Sequence, residues 1–200
     1  MAGAAAKTST LSTRDKLIAA AFRVVARDGL AESNVKAIAA EAGVTPGLLH
    51  YHFANKDALL EEAVAQGGAE YLGELDRLIE RNAPDKVMAA YAAFASHALE
   101  AHRDLFRVRL ALSVKAMNDA GLAARLERDN AAVRSRIALI FARDAGRDKP
   151  AKIDDLRARM VKSAFEGMML AWLAQPDFPM AAVFAEWFAT LQQRLGNGQA

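Results

Sequence analysis

The 200-residue sequence contains no cysteine. A disulfide scaffold and any thiolate zinc site are therefore excluded, and a reducing compartment suits the chain. Long apolar runs are missing as well. Runs such as Gly167–Ala174 fall far short of the about 20 residues that a membrane-spanning helix needs. Met1–Ala6 is rich in alanine but has neither the basic flank nor the apolar length of a secretion signal. These absences predict a cytoplasmic protein with no membrane partner. No stretch alternates apolar and polar residues at strand spacing over a useful length, and no internal repeat is evident. The sequence offers no Ser/His/Asp order, no glycine-rich phosphate loop after a strand, and no ordered carboxylate pair. His50 and His52 have no further ligands beside them that could fix a metal. Catalysis, a metal and a cofactor are not expected.

An excess of one charge is also lacking, the net charge being +2. Its distribution says more than its size. Residues 1–60 hold seven Lys/Arg against five Asp/Glu, and residues 61–200 hold nineteen of each. The small excess lies at the front of the chain, which suits a few placed contacts to nucleic acid better than a basic tail.

What is abundant is apolar residue content, 53% of the chain, enough for a substantial core. Its periodicity is helical throughout and predicts an all-α protein of nine helices. Ser12, with Asp15 three residues on, signals a first helix. That helix runs through Ile18, Ala21, Phe22 and Val25 and ends at Gly29. Val35, Ile38 and Ala42 give the second helix an apolar side, Asn34 or Ser33 can cap its start, and Gly43 stands where a left-handed backbone ends it. Thr45 can cap a third helix, with Pro46 at its first position. Leu49 and Phe53, four apart, can anchor that helix in a core. This is a helix-turn-helix, the arrangement whose second helix enters the major groove of DNA. The predicted DNA-facing set is Asn34 and Lys36, then Thr45, Pro46, Gly47, Leu48, His50, Tyr51 and His52, and Lys56 just beyond. Hydroxyls of Thr45 and Tyr51 and the ring nitrogens of the histidines supply polar contacts.

The stretch GVTPGLLHYHFANKDALL resembles the signature of the tetracycline-repressor (TetR) family, Gly-Val-Ser-x-Gly-x-Leu-Tyr-x-His-Phe-x-x-Lys-x-x-Leu. Gly43, Val44, Thr45 in the serine position, Gly47, Leu49, His52, Phe53, Lys56 and Leu59 match. His50 stands where the family usually carries tyrosine, and Tyr51 sits beside it. The resemblance implies a DNA-binding domain over residues 13–55 and a ligand-binding and dimerisation domain over residues 56–200, after an arm of residues 1–12 predicted to be disordered. It further implies a homodimer on a palindromic operator of double-stranded DNA, most simply a repressor released by a small-molecule effector. Lys56 takes from the resemblance a contact to DNA phosphate, which would also account for a lysine at an unfavourable helix start.

For the second domain the residues give two expectations. Met88, Tyr91, Phe94, Phe106, Leu110, Met117, Phe165 and Met169 are candidates to line a cavity. Glu166 lies among apolar neighbours and needs a partner, for which Arg109, His97 or a cationic ligand are candidates, or else it forms a structural salt bridge or stands at an edge open to water; the effector is expected to be apolar or cationic. The last two helices carry more apolar surface than one bundle seam requires. Met168, Trp172, Phe184, Trp187, Phe188, Leu191 and Leu195 are therefore assigned to a two-fold interface. Gly67-Gly68, inside the fourth helix, allow either close packing or a soft point. Two alternatives stay open: the same build governed by a partner protein, or a helical carrier or enzyme with a vestigial helix-turn-helix.

Overall fold

A computed structural model describes residues 11–175 and 177–197, without the side chains of residues 100 and 194–197. The predicted N-terminal arm, Leu11 and Ser12 aside, and the side chain of Leu195 lie outside the described residues. Among those residues the structure is all helix: α1 (Thr13–Glu32), α2 (Val35–Ala42), α3 (Pro46–His52), α4 (Lys56–Arg81), α5 (Pro84–Ala101), α6 (Arg103–Ala116), α7 (Ala120–Asp144), α8 (Lys152–Ala174) and α9 (Met180–Asn197). This is the nine-helix architecture expected. None of these helices is long and apolar enough to cross a membrane.

Local chemistry sets the helix ends. The Ser12 hydroxyl accepts the Asp15 N–H at 3.2 Å, and Asn34 Oδ1 accepts that of Ala37 at 2.9 Å. Asn55 Oδ1 does the same for Ala58 at 2.8 Å, starting α4. Gly43 adopts φ +68°, a left-handed turn cheap only for glycine. Gly29, at φ +82°, breaks α1 where the periodicity ends, although three further residues continue in helical form. Thr45 differs from expectation: it precedes α3 in extended backbone, but its side chain makes no capping bond.

The chain divides into two compact units within α4, after Val64. In the first, Leu17, Ile18, Ala21, Val24, Ile38, Leu49, Phe53, Leu59 and Leu60 form the buried interior. In the second, α5, α7, α8 and α9 enclose a core around Leu75, Val87, Tyr91, Leu99, Ile140, Phe141, Val161 and Phe184. Gly67 supports the packing reading, because a Cβ there would lie 2.9 Å from Leu105 Cδ1. Arg143 closes the end of α4, donating to the Ile79 and Asn82 carbonyls at 2.5 and 3.1 Å.

The start of α8 rests on Asp154, which is wholly buried. Its carboxylate accepts from Arg147 at 2.6 and 2.8 Å and from the Ala151 N–H at 2.7 Å. The Arg147 hydrogen bonds, more than any other influence, hold this carboxyl below the usual aspartate range. A carboxyl lowered in the folded state contributes its stability above the unfolded aspartate pKa of about 3.9 and loses it as pH falls through the folded value. Asp154→Asn is expected to cost about 2–3 kcal/mol in urea unfolding at pH 7. The gap to the parent should close in acid, and a deficit that is the same at both pH values would contradict this role.

Candidate nucleic-acid interface and cavity

In the N-terminal unit, α3 is only seven residues long, too short to be stable alone in water. Leu49, fully buried, and Phe53, nearly so, fix one side of it in the core. Everything opposite is turned outward. Thr45, Pro46, Gly47, His50 and Tyr51 are exposed, as are Asn34 and Lys36 at the start of α2. Tyr51 stands out at 82% exposure, well beyond what an aromatic ring shows when it serves packing. Its ring meets His52 edge-on at 5.1 Å. Leu48 and His52 are half-buried and flank the exposed face rather than form it. With no capping bond to make, the Thr45 hydroxyl is available to an outside acceptor.

Ion pairs brace this face from behind. Glu41 on α2 accepts from Arg23 Nε at 2.7 Å and from Arg27 at 3.0 Å, both on α1. Those two arginines hold the Glu41 carboxyl below its ordinary range, Arg23 contributing more. Arg27 also pairs with Asp28 at 2.8 Å, and Arg14 pairs with Glu62 while lying 5.2 Å from the centre of the Phe53 ring. The basic residues of α1 other than Lys16 thus have partners within their own unit.

Lys56 has a local explanation that sequence did not reveal. Its ammonium donates to the Leu30 and Ser33 carbonyls at 2.9 and 2.8 Å. These oxygens belong to the end of α1, where a helix leaves carbonyls unpaired and favours a cation. A lysine at the start of α4 is therefore explained by the C-terminus of α1, without a phosphate. The signal missed was tertiary: nothing in the local sequence says that residue 56 meets residue 30.

The second unit contains a cavity lined by Gly68 and Tyr71 of α4, Tyr91 of α5, Leu105, Phe106 and Arg109 of α6, Val133 and Ile137 of α7, and Lys162, Phe165, Glu166 and Met169 of α8. Its space, open mouth included, is about 590 Å³, of which only a small part is enclosed. Of the predicted lining, Tyr91, Phe106, Arg109, Phe165, Glu166 and Met169 are there. Met88 is instead buried in the core, Phe94 packs against that core, and Met117 is 79% exposed; Leu110 is half-buried and away from the cavity. Glu166 forms a structural salt bridge and stands partly in water, its partner being Lys162, one turn earlier on α8, rather than Arg109 or His97. A lysine four residues before a glutamate is readable from sequence, and it was the signal passed over.

The interface residues also divide. Phe184 and Phe188 are buried in their own core, so they are not available to a second chain. Met168, Trp172, Trp187 and Leu191 are half-buried, and Arg103 lies 4.6 Å over the Trp172 ring. Besides Lys152 and Arg159, α8 turns outward Ile153, Leu156, Met160, Ser163, Gly167, Leu170 and Ala174, all exposed. Their spacing alternates three and four, the period of a helix–helix seam.

Residues 17–63 match the family described as bacterial regulatory proteins, tetR family. Over 75 residues the chain is 40% identical to the nicotine-responsive transcriptional repressor HdnoR of Paenarthrobacter nicotinovorans, a match covering 38% of this chain and 37% of that one. The chain thus spans little more than a third of the relative's length. Two solved structures share the fold more widely. Bacillus subtilis FadR in complex with stearoyl-CoA matches with a TM-score of 0.74 at 19% identity, over 88% of this chain and 96% of that one. A regulator from Saccharomonospora viridis in complex with choline matches with a TM-score of 0.77 at 16% identity, over 90% and 95%.

Loss of the Lys56 ammonium should weaken the N-terminal unit. Lys56→Met is expected to lower stability by about 1–3 kcal/mol in urea titration. Unaltered unfolding would contradict the role given to its two carbonyl bonds.

Proposed function

We propose that this chain, whose residues 17–63 match the tetR family of bacterial regulatory proteins, is a ligand-responsive transcriptional repressor of that family acting as a homodimer. The observation that carries this reading is the outward face of α3. Thr45, Pro46, Gly47, His50 and Tyr51 stand exposed on a helix whose other side is anchored by Leu49 and Phe53. Such a face meets base edges, while Asn34 and Lys36 at the start of α2 approach the backbone. Lys56 serves this site by holding the end of α1 against the start of α4, its ammonium donating to the Leu30 and Ser33 carbonyls and, at 3.4 Å, to the Ser33 hydroxyl.

The three–four stripe of α8 supports a second copy as the missing neighbour. On α9, Ala182, Ala185 and Ala189 are also exposed, small enough to let a facing helix come close. Paired across a two-fold axis, α8 and α9 of both chains would form a four-helix interface. Two α3 helices about 34–36 Å apart then meet successive major grooves of an inverted repeat.

The cavity is the sensing site in this reading. Gly68 and Tyr71 line it and belong to α4, the helix that runs into the N-terminal unit. A ligand that displaces this turn would change the spacing of the two readers and release the operator. Coupling of about 1–3 kcal/mol would alter operator affinity from several-fold to about a hundredfold. One relative is nicotine-responsive, and the two solved structures are complexes with stearoyl-CoA and with choline, so fold alone does not name the effector.

Selection from random duplex DNA is expected to return an inverted repeat, and Tyr51→Ala, correctly folded, should lose about tenfold or more in affinity for it. Recovery of no preferred sequence, or full affinity in Tyr51→Ala, would overturn the assignment of α3. Leu156→Glu with Leu170→Glu should turn the dimer into a monomer in light scattering and weaken operator binding. A variant that remains dimeric would remove α8 from the interface.

A further inference from the structure

The charged groups of the cavity do not balance. Among its lining residues are two cations, Arg109 and Lys162, and one carboxylate, Glu166. Lys162 and Glu166 pair with each other. The lysine side chain is 11% exposed, whereas the glutamate is 45% exposed and half in water. Arg109 is left with a neutral partner, the Asn130 side-chain oxygen. Among the described residues no carboxylate lies within ion-pairing distance of it; Glu166 and Asp129 act on it only from farther off. Burial pulls both cations below their ordinary pKa, Lys162 in spite of its pairing with Glu166. Around them stand the buried Tyr71, Phe106 and Met169 and the half-buried Phe165, an apolar wall.

A guanidinium offers five donors in a planar fork, and a single amide oxygen occupies little of it. A buried charge paired only with a neutral group is costly, and a carboxylate presented to the fork in two parallel hydrogen bonds relieves that cost. A cationic ligand meets the opposite situation: repulsion from Arg109, and a glutamate whose charge is already taken. We infer that the cavity selects a small monoanion, a single carboxylate on an apolar body, with the carboxylate held by Arg109 and the body against Phe106, Phe165 and Met169. This rests on the cavity being the sensing site, and it reverses the cationic effector that an isolated Glu166 suggested.

The test uses one body with three heads: 4-phenylbutyrate, 4-phenylbutanol and 4-phenylbutylamine, titrated calorimetrically into the full-length protein. The acid is expected to bind about tenfold or more tighter than the alcohol, with the amine weakest. Arg109→Gln should remove most of the acid's advantage and leave the alcohol within about threefold. Arg109→Lys, which keeps the charge but not the fork, should retain part of it. Lys162→Gln, which frees Glu166, should weaken the acid and strengthen the amine. The inference is overturned if the amine binds as well as the acid, or if neither Arg109 variant changes the acid's affinity. Either result leaves the sensing site standing. Failure of all three compounds to bind overturns the inference and the sensing role together, while operator binding by the same protein reports separately on the DNA-reading role.

Discussion

The burial of Leu49 and Phe53 is the constraint on which the DNA-reading account depends. A helix of seven residues has too few internal hydrogen bonds to offset the entropy of forming it. It exists because those two side chains leave water on one side, and that burial turns the opposite face outward. The remaining contacts of the N-terminal unit keep this arrangement rigid. Glu41 ties α2 to α1 through Arg23 and Arg27, and Lys56 ties the end of α1 to the start of α4. Exposed pairs such as those of Glu41 contribute little stability each, so their effect is on the angle at which the two helices meet. The lysine, half-buried on two carbonyls, is the stronger brace.

The second unit follows a different rule. Its core is apolar and closely packed, with Gly67 accommodating Leu105, yet one side contains Arg109 and Lys162 with a single carboxylate between them. Burying polar groups that are only partly compensated lowers stability. A site that keeps such groups poised in an apolar wall is arranged to receive something of matching charge. Because Gly68 and Tyr71 belong to α4, whatever enters lies directly against the helix that continues into the other unit.

Much of the front of the chain was legible in sequence because its determinants are local. Asn34 and Asn55 cap the helices they precede, Gly43 takes the left-handed turn, and Leu49 and Phe53 are the anchors their spacing suggests. Thr45 takes the N-cap position it was read into, but its hydroxyl makes no capping bond, and Pro46 after it removes one of the N–H groups that a cap would serve. The partners of Lys56 were not legible because they lie twenty-three and more residues earlier. Later in the chain, apolar content alone could not separate a subunit's own core from a surface meant for another subunit. Phe184 and Phe188 proved to be core, whereas Leu156, Met160 and Leu170 face outward. Lining the cavity has the same ambiguity: Met88 and Met117, alike in sequence, are respectively buried and almost fully exposed.

The most direct measurement of the central claim is amide hydrogen exchange of the full-length protein with and without a selected operator duplex at low salt. The account predicts slowed exchange across residues 45–52 on adding DNA, strongest at the start of α3, with no comparable change along the outer stripe of α8. Exchange in α3 that does not respond to a bound duplex, or protection confined to α8, would show that this helix is held outward for some purpose other than reading DNA.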